Sequence, residues 1–383
     1  MIGVMKSTLE PQSFQQAPQP AAASILPPAD VAELGGQRAG KPPISSWSGG
    51  TSAESRRMVQ RARSLAHALK EHLGQLQAAG QLDSLGEPRY LLKAAQDTTR
   101  PVGERLRILG LMAASLDNLF ILEMPALHEA VAEGKSGSRD RLQTLAGQVQ
   151  SIVDQAADYI LKTLLPEIGQ AGIHMRSAQQ LLWEQRSWVR EYFQNRVYPL
   201  LTPLAVDPGR PFPFISTHSL NILVQLPQDL PPQRVNPRWP AQVYARIKVP
   251  RMLPRFVALP TRNGPSSQEW MWSEELVRFS VPELFQGMEV TGAYYFRVLR
   301  SGSQLTSSPS FMGPIIASRQ EEKLTQVMRL DVESAMPEPM LAWLVNHLDV
   351  PPYSVFRIPG PLSLVQFVDL ANIVDGISVP QPR

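Results

Sequence analysis

Residues 198–216 read YPLLTPLAVDPGRPFPFIS, and this stretch divides the chain into two parts of different character. It contains the prolines Pro199, Pro203, Pro208, Pro211 and Pro213. Each proline fixes its own φ and biases the preceding residue towards extended backbone, so the stretch is predicted to be a rigid, extended path. Before it, apolar residues recur at three- and four-residue steps, which indicates helices; after it, they form short runs that are typical of strands.

Four helices are predicted upstream of this stretch. They cover residues 54–80, a run from Pro101 to Phe120, residues 141–165 and residues 177–196. We expect Pro101 to lie in the first turn of its helix and Pro166 to end the third helix. Ser177 and Gln180 are predicted to form a capping box at the start of the fourth.

The downstream part is predicted to mix strands with helices. Strands are expected at 220–226, 243–249, 256–259, 294–299 and 327–332, and helices at 273–279 and 339–348. This order of elements predicts an α+β fold, with an N-terminal helical bundle followed by a mixed α+β head domain. Residues 1–52 are rich in Gln, Pro, Ala and Gly, which predicts a disordered tail.

The composition excludes several kinds of site. The 383 residues include no cysteine, so disulfide scaffolds, cysteine-ligated zinc and cysteine nucleophiles are ruled out. The first residues lack the layout of a signal peptide, and no run approaches the roughly 18 consecutive apolar residues of a membrane span. We therefore predict a cytoplasmic protein with no membrane partner. The net charge of +3 makes nucleic acid an unlikely partner, because nucleic-acid-binding proteins usually carry a larger excess of base.

No common catalytic motif is present. The sequence has no phosphate-binding loop, no dinucleotide fingerprint and no nucleophile elbow. No two histidines have the i, i+4 spacing of a helical metal pair, and all six are predicted to be ordinary side chains: His67, His72, His128, His174, His218 and His347.

Two groups of charged residues are candidate sites. Arginines in the first helix permit a polyanion partner, although a solvated helix face is the simpler interpretation; they are Arg56, Arg57, Arg61 and Arg63. Asp117 and Glu123 are six residues apart on a predicted helix and cannot share a face. They are therefore predicted to be caps or surface charges.

Several long strings resemble the long-chain polyphosphate kinases. In the second part they are 192–193 (YF), 196–208 (RVYPLLTPLAVDP), 210–216 (RPFPFIS), 219–221 (SLN), 245–250 (ARIKVP), 253–257 (LPRFV), 283–288 (ELFQGM), 296–298 (FRV), 336–337 (MP) and 355–357 (VFR). In the first part they are 104–109 (ERLRIL) and 115–120 (SLDNLF). The resemblance covers roughly residues 80–370. After the tail at 1–52 that the composition predicts, it implies a helical domain at 53–176 and a middle domain at 177–360. Residues 361–383 then correspond to the truncated start of the catalytic region.

The resemblance implies a reaction and its cofactors. This family transfers the terminal phosphoryl group of ATP to inorganic polyphosphate, with magnesium and a histidine that becomes phosphorylated. Its catalytic histidines lie in two C-terminal domains that resemble phospholipase D, so no catalytic residue and no metal ligand is expected in this chain. Ser115 stands where the family has an asparagine that contacts the nucleotide base, and is the one cofactor-binding position that the resemblance assigns.

Two functional hypotheses stay open at this point. In the first, the chain is a truncated polyphosphate kinase or one half of a split enzyme, inactive alone and completed by a separate catalytic chain. In the second, it is a non-catalytic module that binds polyphosphate, forms a homo-oligomer or modulates an intact kinase. Whether the chain is an enzyme by itself is left undecided by the sequence.

Overall fold

The computed structural model describes residues 83–206, 212–227, 242–261, 267–301 and 326–376, together with three single helical positions at 60, 71 and 74. The predicted disordered tail and nearly all of the predicted helix at 54–80 lie outside these residues. So do His67, His72 and the four arginines of that helix.

The first part of the described chain is helical, as its apolar periodicity predicts. The helix Val102–Asn118 contains the predicted stripe, with Leu106, Leu109, Met112 and Leu116 buried. Pro101 precedes this helix in extended backbone instead of lying in its first turn. The helices are α1 (Gly86–Ala95), α2 (Val102–Asn118), α3 (Met124–Ala132), α4 (Ser138–Tyr159), α5 (Leu165–Gln170) and α6 (Trp183–Tyr192).

Three wide π-helical turns each stand directly before a proline-containing segment. They are Leu119–Glu123 before Pro125, Ile160–Leu164 before Pro166 and Phe193–Val197 before Pro199. Proline lacks an N–H and its ring clashes with the carbonyl one turn back, and a wider turn accommodates both defects. The prediction that Pro166 ends its helix is therefore wrong, because the helix continues through the π turn into α5.

The capping box of Ser177 and Gln180 is confirmed, but it caps a short 3₁₀ turn, Ala178–Gln180. The backbone N–H of Ser177 donates to Oε1 of Gln180 at 3.0 Å. Helix α6 begins later, at Trp183, so the predicted helix from Ser177 is two elements and not one.

The unbroken helical segment Val102–Ala132 is long and apolar enough to cross a membrane by length and composition. In the fold, however, 56% of its most apolar window is buried inside the protein. It also carries buried charges, since Arg105 donates to the Tyr159 hydroxyl at 2.8 Å and pairs with Glu167. These are the properties of a core helix.

The second part forms two sheets, and the α+β fold class is confirmed. A six-stranded sheet has the order β2-β4-β3-β7-β8-β9 and is antiparallel except for the β8–β9 pair; a three-stranded sheet has the order β1-β6-β5. The strands are β1 (Ile173–Met175), β2 (Leu204–Val206), β3 (Leu220–Pro227), β4 (Gln242–Lys248), β5 (Phe256–Leu259), β6 (Gln268–Trp272), β7 (Gly292–Arg300), β8 (Val327–Glu333) and β9 (Val355–Ile358). The remaining helices are α7 (Ser273–Phe279), α8 (Val281–Leu284), α9 (Glu338–Leu348) and α10 (Phe367–Val374).

The large sheet has two covered faces. One face shares a single hydrophobic core with the N-terminal helices, in which Phe120 and Phe356 meet edge to face at 5.3 Å. The opposite face packs against α9 through Met340, Leu341 and Leu344. We call these the helical face and the α9 face. Because residues alternate along a strand, β3, β4, β7, β8 and β9 each contribute to both cores.

Helix α10 returns to pack on the first turns of α2. Arg107 donates to Oδ2 of Asp375 at 2.5 Å and to Oδ1 of Asn372 at 2.9 Å. A Cβ built on Gly103 would lie only 2.7 Å from Cγ of Asp375, so any larger residue at this position forces the Asp375 carboxylate to move.

We predict that Gly103→Ala destabilises the protein by about 1–2 kcal/mol in urea unfolding, because the new methyl group displaces the Asp375 carboxylate from Arg107. The matched control is Gly147→Ala in α4, where nothing lies within 4 Å of the new Cβ. That substitution should stabilise by about 0.5–1 kcal/mol through helix propensity. If Gly103→Ala is as stable as the wild type, the proposed close contact is wrong.

Candidate functional site

Helix α2 is joined to the large sheet by a buried ion pair. Asp117, near the end of α2, accepts two hydrogen bonds from Arg297 on β7, Nη1 to Oδ2 at 2.8 Å and Nη2 to Oδ1 at 2.9 Å. Both residues are at most 4% exposed. A two-point contact between a planar guanidinium and a carboxylate fixes distance and direction together.

The pair extends along the helical face of the sheet. Asp331 on β8 accepts from Nε and Nη2 of Arg297 at 3.0 and 2.7 Å, and from Nε of Arg329 at 2.6 Å. The Arg329 guanidinium also lies 5.0 Å from the ring centres of both Phe120 and Phe356. Two acids and two arginines thus balance each other's charge within the core, and we call these four residues the buried network: Asp117, Arg297, Arg329 and Asp331.

Asp117 and Arg297 strongly shift each other's pKa. Burial alone would raise the pKa of Asp117, but the Arg297 charge and the hydrogen bonds from His218 and Arg297 outweigh it and hold that pKa well below its usual range. For Arg297, burial lowers the pKa, while Asp117 and Asp331 raise it further than burial lowers it. Asp117 and Arg297 are therefore both charged at neutral pH.

The prediction for Asp117 is wrong, because it is neither a cap nor a surface charge. Glu123 is exposed, as predicted. Asp117 and Arg297 are 180 residues apart, and no local pattern links them. The available signal was that each lies inside a family string, SLDNLF and FRV respectively.

A turn at residues 215–219 lies next to the buried network. His218 has a positive φ of 55°, which is uncommon outside glycine, and its Nδ1 lies 3.4 Å from Oδ2 of Asp117. Its backbone N–H donates to the carbonyl of Val298 on β7 at 2.9 Å. The turn is thereby fixed to both the ion pair and the sheet.

Comparison with known proteins agrees with this arrangement. Residues 87–176 match the profile of the polyphosphate kinase N-terminal domain, and residues 184–370 match that of the polyphosphate kinase middle domain. A polyphosphate kinase of Mycobacterium tuberculosis is 31% identical over 314 residues, which are 76% of this chain and 41% of that protein. One from Thermosynechococcus vestitus is 30% identical over 289 residues, 72% of this chain and 38% of that protein.

The chain belongs to the polyphosphate kinase family. It spans about 41% of the length of the Mycobacterium relative. The fold is also similar to the crystal structure of a polyphosphate kinase from Porphyromonas gingivalis, with a TM-score of 0.59 at 21% identity over 73% of this chain and 39% of that one.

Several family strings meet in three dimensions. Asp117 and Arg297 pair across the two domains, while Asn221 accepts from Nε of Arg246 at 2.8 Å on the other face of the sheet. In this chain the strings identified in the sequence therefore hold the helical domain, the sheet and the turn at 215–219 together.

Ser115, the predicted nucleotide contact, lies on α2 two residues before Asp117. Two residues are about 200° of helix rotation, so the two side chains point in nearly opposite directions. Ser115 is half-buried and shares its side of the helix with the exposed residues Asn118 and Leu122. The fold does not bring Ser115 into contact with the buried network, and its role as a nucleotide contact stays a prediction.

The described residues contain no group of three or more His, Asp or Glu side chains that could hold a metal ion. The histidines within them lie apart. His347 contacts the Trp343 carbonyl at 2.7 Å, and His128 is buried 3.4 Å from Ser354, where burial lowers its pKa. These residues do not fit a magnesium site.

We predict that Asp117→Asn destabilises the protein by about 3–5 kcal/mol, because it leaves a buried arginine short of compensating charge. Urea unfolding at pH 7 measures this. The control is Asp83→Asn, which breaks the exposed pair with Arg89 at 2.9 Å and should change stability by less than about 1 kcal/mol. Equal losses in the two variants would contradict a special role for Asp117.

Asp117→Asn should also change how the free energy of unfolding depends on pH in acid. The folded pKa of Asp117 is depressed, so its contribution is present above the unfolded value of about 3.9 and is lost as pH falls below it. We expect wild-type stability to fall more steeply than that of Asp117→Asn between about pH 5 and pH 2. Parallel curves for the two proteins would contradict the depressed pKa.

Proposed function

We propose that this chain acts in ATP-dependent polyphosphate synthesis as the N-terminal and head part of a polyphosphate kinase. Its task is to hold helix α2, which carries Ser115, in a fixed position against the sheet. The observation that carries the proposal is the buried ion pair of Asp117 and Arg297, because it joins the two family domains with a defined geometry. In this proposal the catalytic histidines come from a separate catalytic chain.

The chemistry of the described residues supports a positioning role. Phosphoryl transfer needs a positioned nucleophile or water and cations at the transferred phosphate. The described arginines of the helical face are already paired with Asp117 and Asp331, and His218 faces Asp117. We therefore expect no polymer synthesis from these residues alone.

ATP and magnesium belong to the proposal as cofactors of the complete enzyme. Within this chain ATP would contact Ser115. Its single hydroxyl has fewer hydrogen-bond donors for a nucleotide base than the amide of an asparagine. Magnesium would be held by groups outside the described residues. A cytoplasmic location and a homo-oligomeric state are further parts of the proposal, and light scattering at micromolar concentration tests the second; a monomer would contradict it.

A second candidate function is a non-catalytic module that binds polyphosphate or modulates an intact kinase. The observation in its favour is that the buried scaffold is complete while the predicted nucleotide position carries a short serine. The two candidates differ in one measurable way. A non-catalytic module gives no polyphosphate synthesis, either alone or after mixing with a separate catalytic chain.

The first candidate is tested by polyphosphate synthesis from ATP and magnesium, with polymer quantified after polyphosphatase digestion. We expect no polymer from the purified chain. Adding a separately expressed catalytic C-terminal part of the Mycobacterium tuberculosis polyphosphate kinase should give polymer, and Asp117→Asn should lower this rate at least about tenfold because α2 loses its anchor. Asp83→Asn is the control and should leave the rate unchanged.

Two outcomes would overturn this proposal. Polymer made by the chain alone would mean that catalytic residues lie among those assigned a structural role here, and the histidines would be substituted first. Failure of the mixture, with both parts folded and the chain bound to polyphosphate, would favour the second candidate.

A further inference from the structure

The contact between α10 and the three-stranded sheet contains a buried group of charges that the proposed function does not use. Arg255 lies just before β5 and is 7% exposed, and its Nη2 lies 2.6 Å from Oε1 of Glu274 in the first turn of α7. Asp369, in the first turn of α10, is half-buried and also interacts with the Arg255 charge. We call these three residues the acid junction: Arg255, Glu274 and Asp369.

Aromatic rings pack around the acid junction. Trp272 is the last residue of β6, and its ring centre lies 4.6 Å from that of Phe256 and 5.8 Å from that of Phe367 on α10. The Arg255 guanidinium lies 5.2 Å from the centre of the Trp272 ring. The contact that joins α10 to the three-stranded sheet therefore lies directly beside the charges.

The hydrogen bonds of the acid junction are incomplete. Glu274 is 5% exposed, and its Oε2 has no hydrogen-bond donor among the described residues. Glu275, the next residue of the same helix, accepts from the Tyr295 hydroxyl at 2.9 Å and from Arg278 at 2.5 Å. A buried carboxylate oxygen without a donor is costly, and protonation removes the charge that carries most of this cost.

The two acids of the junction, when ionised, exceed the one cation between them. A guanidinium stays charged in proteins, so Arg255 balances only one carboxylate and leaves one negative charge. Other titratable or charged groups face Glu274 and Arg255 from α7 and β7: Glu275, Arg278, Tyr295 and Arg297. The two arginines among them are paired with other acids, Arg278 with Glu275 and Glu333, and Arg297 with Asp117 and Asp331. These neighbours therefore do not neutralise the surplus negative charge.

We propose that the acid junction takes up a proton in mildly acidic solution and thereby strengthens the contact of α10 with the three-stranded sheet. A proton on either acid leaves one carboxylate for Arg255, and the protonated group gains a donor. This property goes beyond the proposed function and does not depend on it. Because Asp375 of α10 also pairs with Arg107 of α2, a more firmly packed α10 holds α2 more firmly as well.

The direction of the effect follows from burial. Burial raises the pKa of Glu274 further than Arg255 lowers it, and burial also raises the pKa of Asp369. An acid whose folded pKa is raised binds more protons in the folded state than in the unfolded state. Its ionisation therefore destabilises the protein above the folded pKa, and this loss is removed as pH falls towards the unfolded value of about 4.

The first test is urea unfolding of the full chain between pH 4.5 and pH 8. Glu274→Gln keeps a neutral side chain at every pH, so ionisation weakens only the wild type. The unfolding equilibrium constant of the wild type, divided by that of the variant, should rise at least about fivefold from pH 4.5 to pH 8. Asp369→Asn should show the same direction at a half-buried position. The contribution of Asp117 cancels in this ratio, because both proteins contain it.

The matched control is Glu338→Gln, in the first turn of α9. This acid is exposed and pairs with Arg357 at the surface, so its ratio should change less than about twofold over the same range. A change in only one of Glu274→Gln and Asp369→Asn assigns the proton to that acid. Ratios that stay within twofold for both variants would overturn the proposal, because neither acid would then take up a proton.

Amide hydrogen exchange of the wild type tests α10 directly and needs no variant to fold. Protection factors are used, so that the pH dependence of exchange in an unstructured chain cancels. Protection of α10 should be at least about threefold higher at pH 5 than at pH 7.5, while that of α9, on the opposite face of the large sheet, changes less. Equal changes in the two helices would show only a general effect of pH on stability and would overturn the proposal.

Discussion

The two-point contact between Asp117 and Arg297 is the constraint on which the rest of the structure depends. Removing two charges from water costs several kcal/mol per ion, and only good geometry with further partners offsets that loss. Asp331 and Arg329 supply those partners, so the pair tolerates little displacement of α2 relative to β7. At its other end α2 is held to α10 through Arg107 and Asp375. One helix therefore sets the position of the sheet and of the last described helix at once.

The π turns explain how long helices carry proline without ending. In each case the N–H of the residue after the π turn reaches the carbonyl five residues back, as from Leu165 to Ile160. The wider turn leaves room for the proline ring one residue later, so the chain changes direction slightly and continues. Sequence reasoning treats proline as a stop, because a single proline does not show whether the preceding turn widens.

Secondary structure was largely predictable from the sequence, and the site was not. The strand Phe256–Leu259 and the helix Ser273–Phe279 were predicted with the observed bounds, because a run of apolar or amphipathic residues is a local property. Short strands such as Ile173–Met175 were missed, since three residues carry no measurable period and this strand exists through pairing with β6. The role of Asp117 was also missed, because it depends on contact with Arg297, and only the fold brings these two residues together. Family strings marked both residues without saying what they contact.

The arginines on the two faces of the large sheet have different kinds of hydrogen-bond partner. On the helical face, each arginine of the buried network forms an ion pair with a carboxylate. The positive charges are therefore neutralised inside the core, and the ion pairs contribute to the specificity of packing. Around the turn at 215–219, Arg246 and Arg251 meet amide and carbonyl oxygens, which leave their charge available. The turn connects these environments, because His218 touches Asp117 while its neighbours hold the cations.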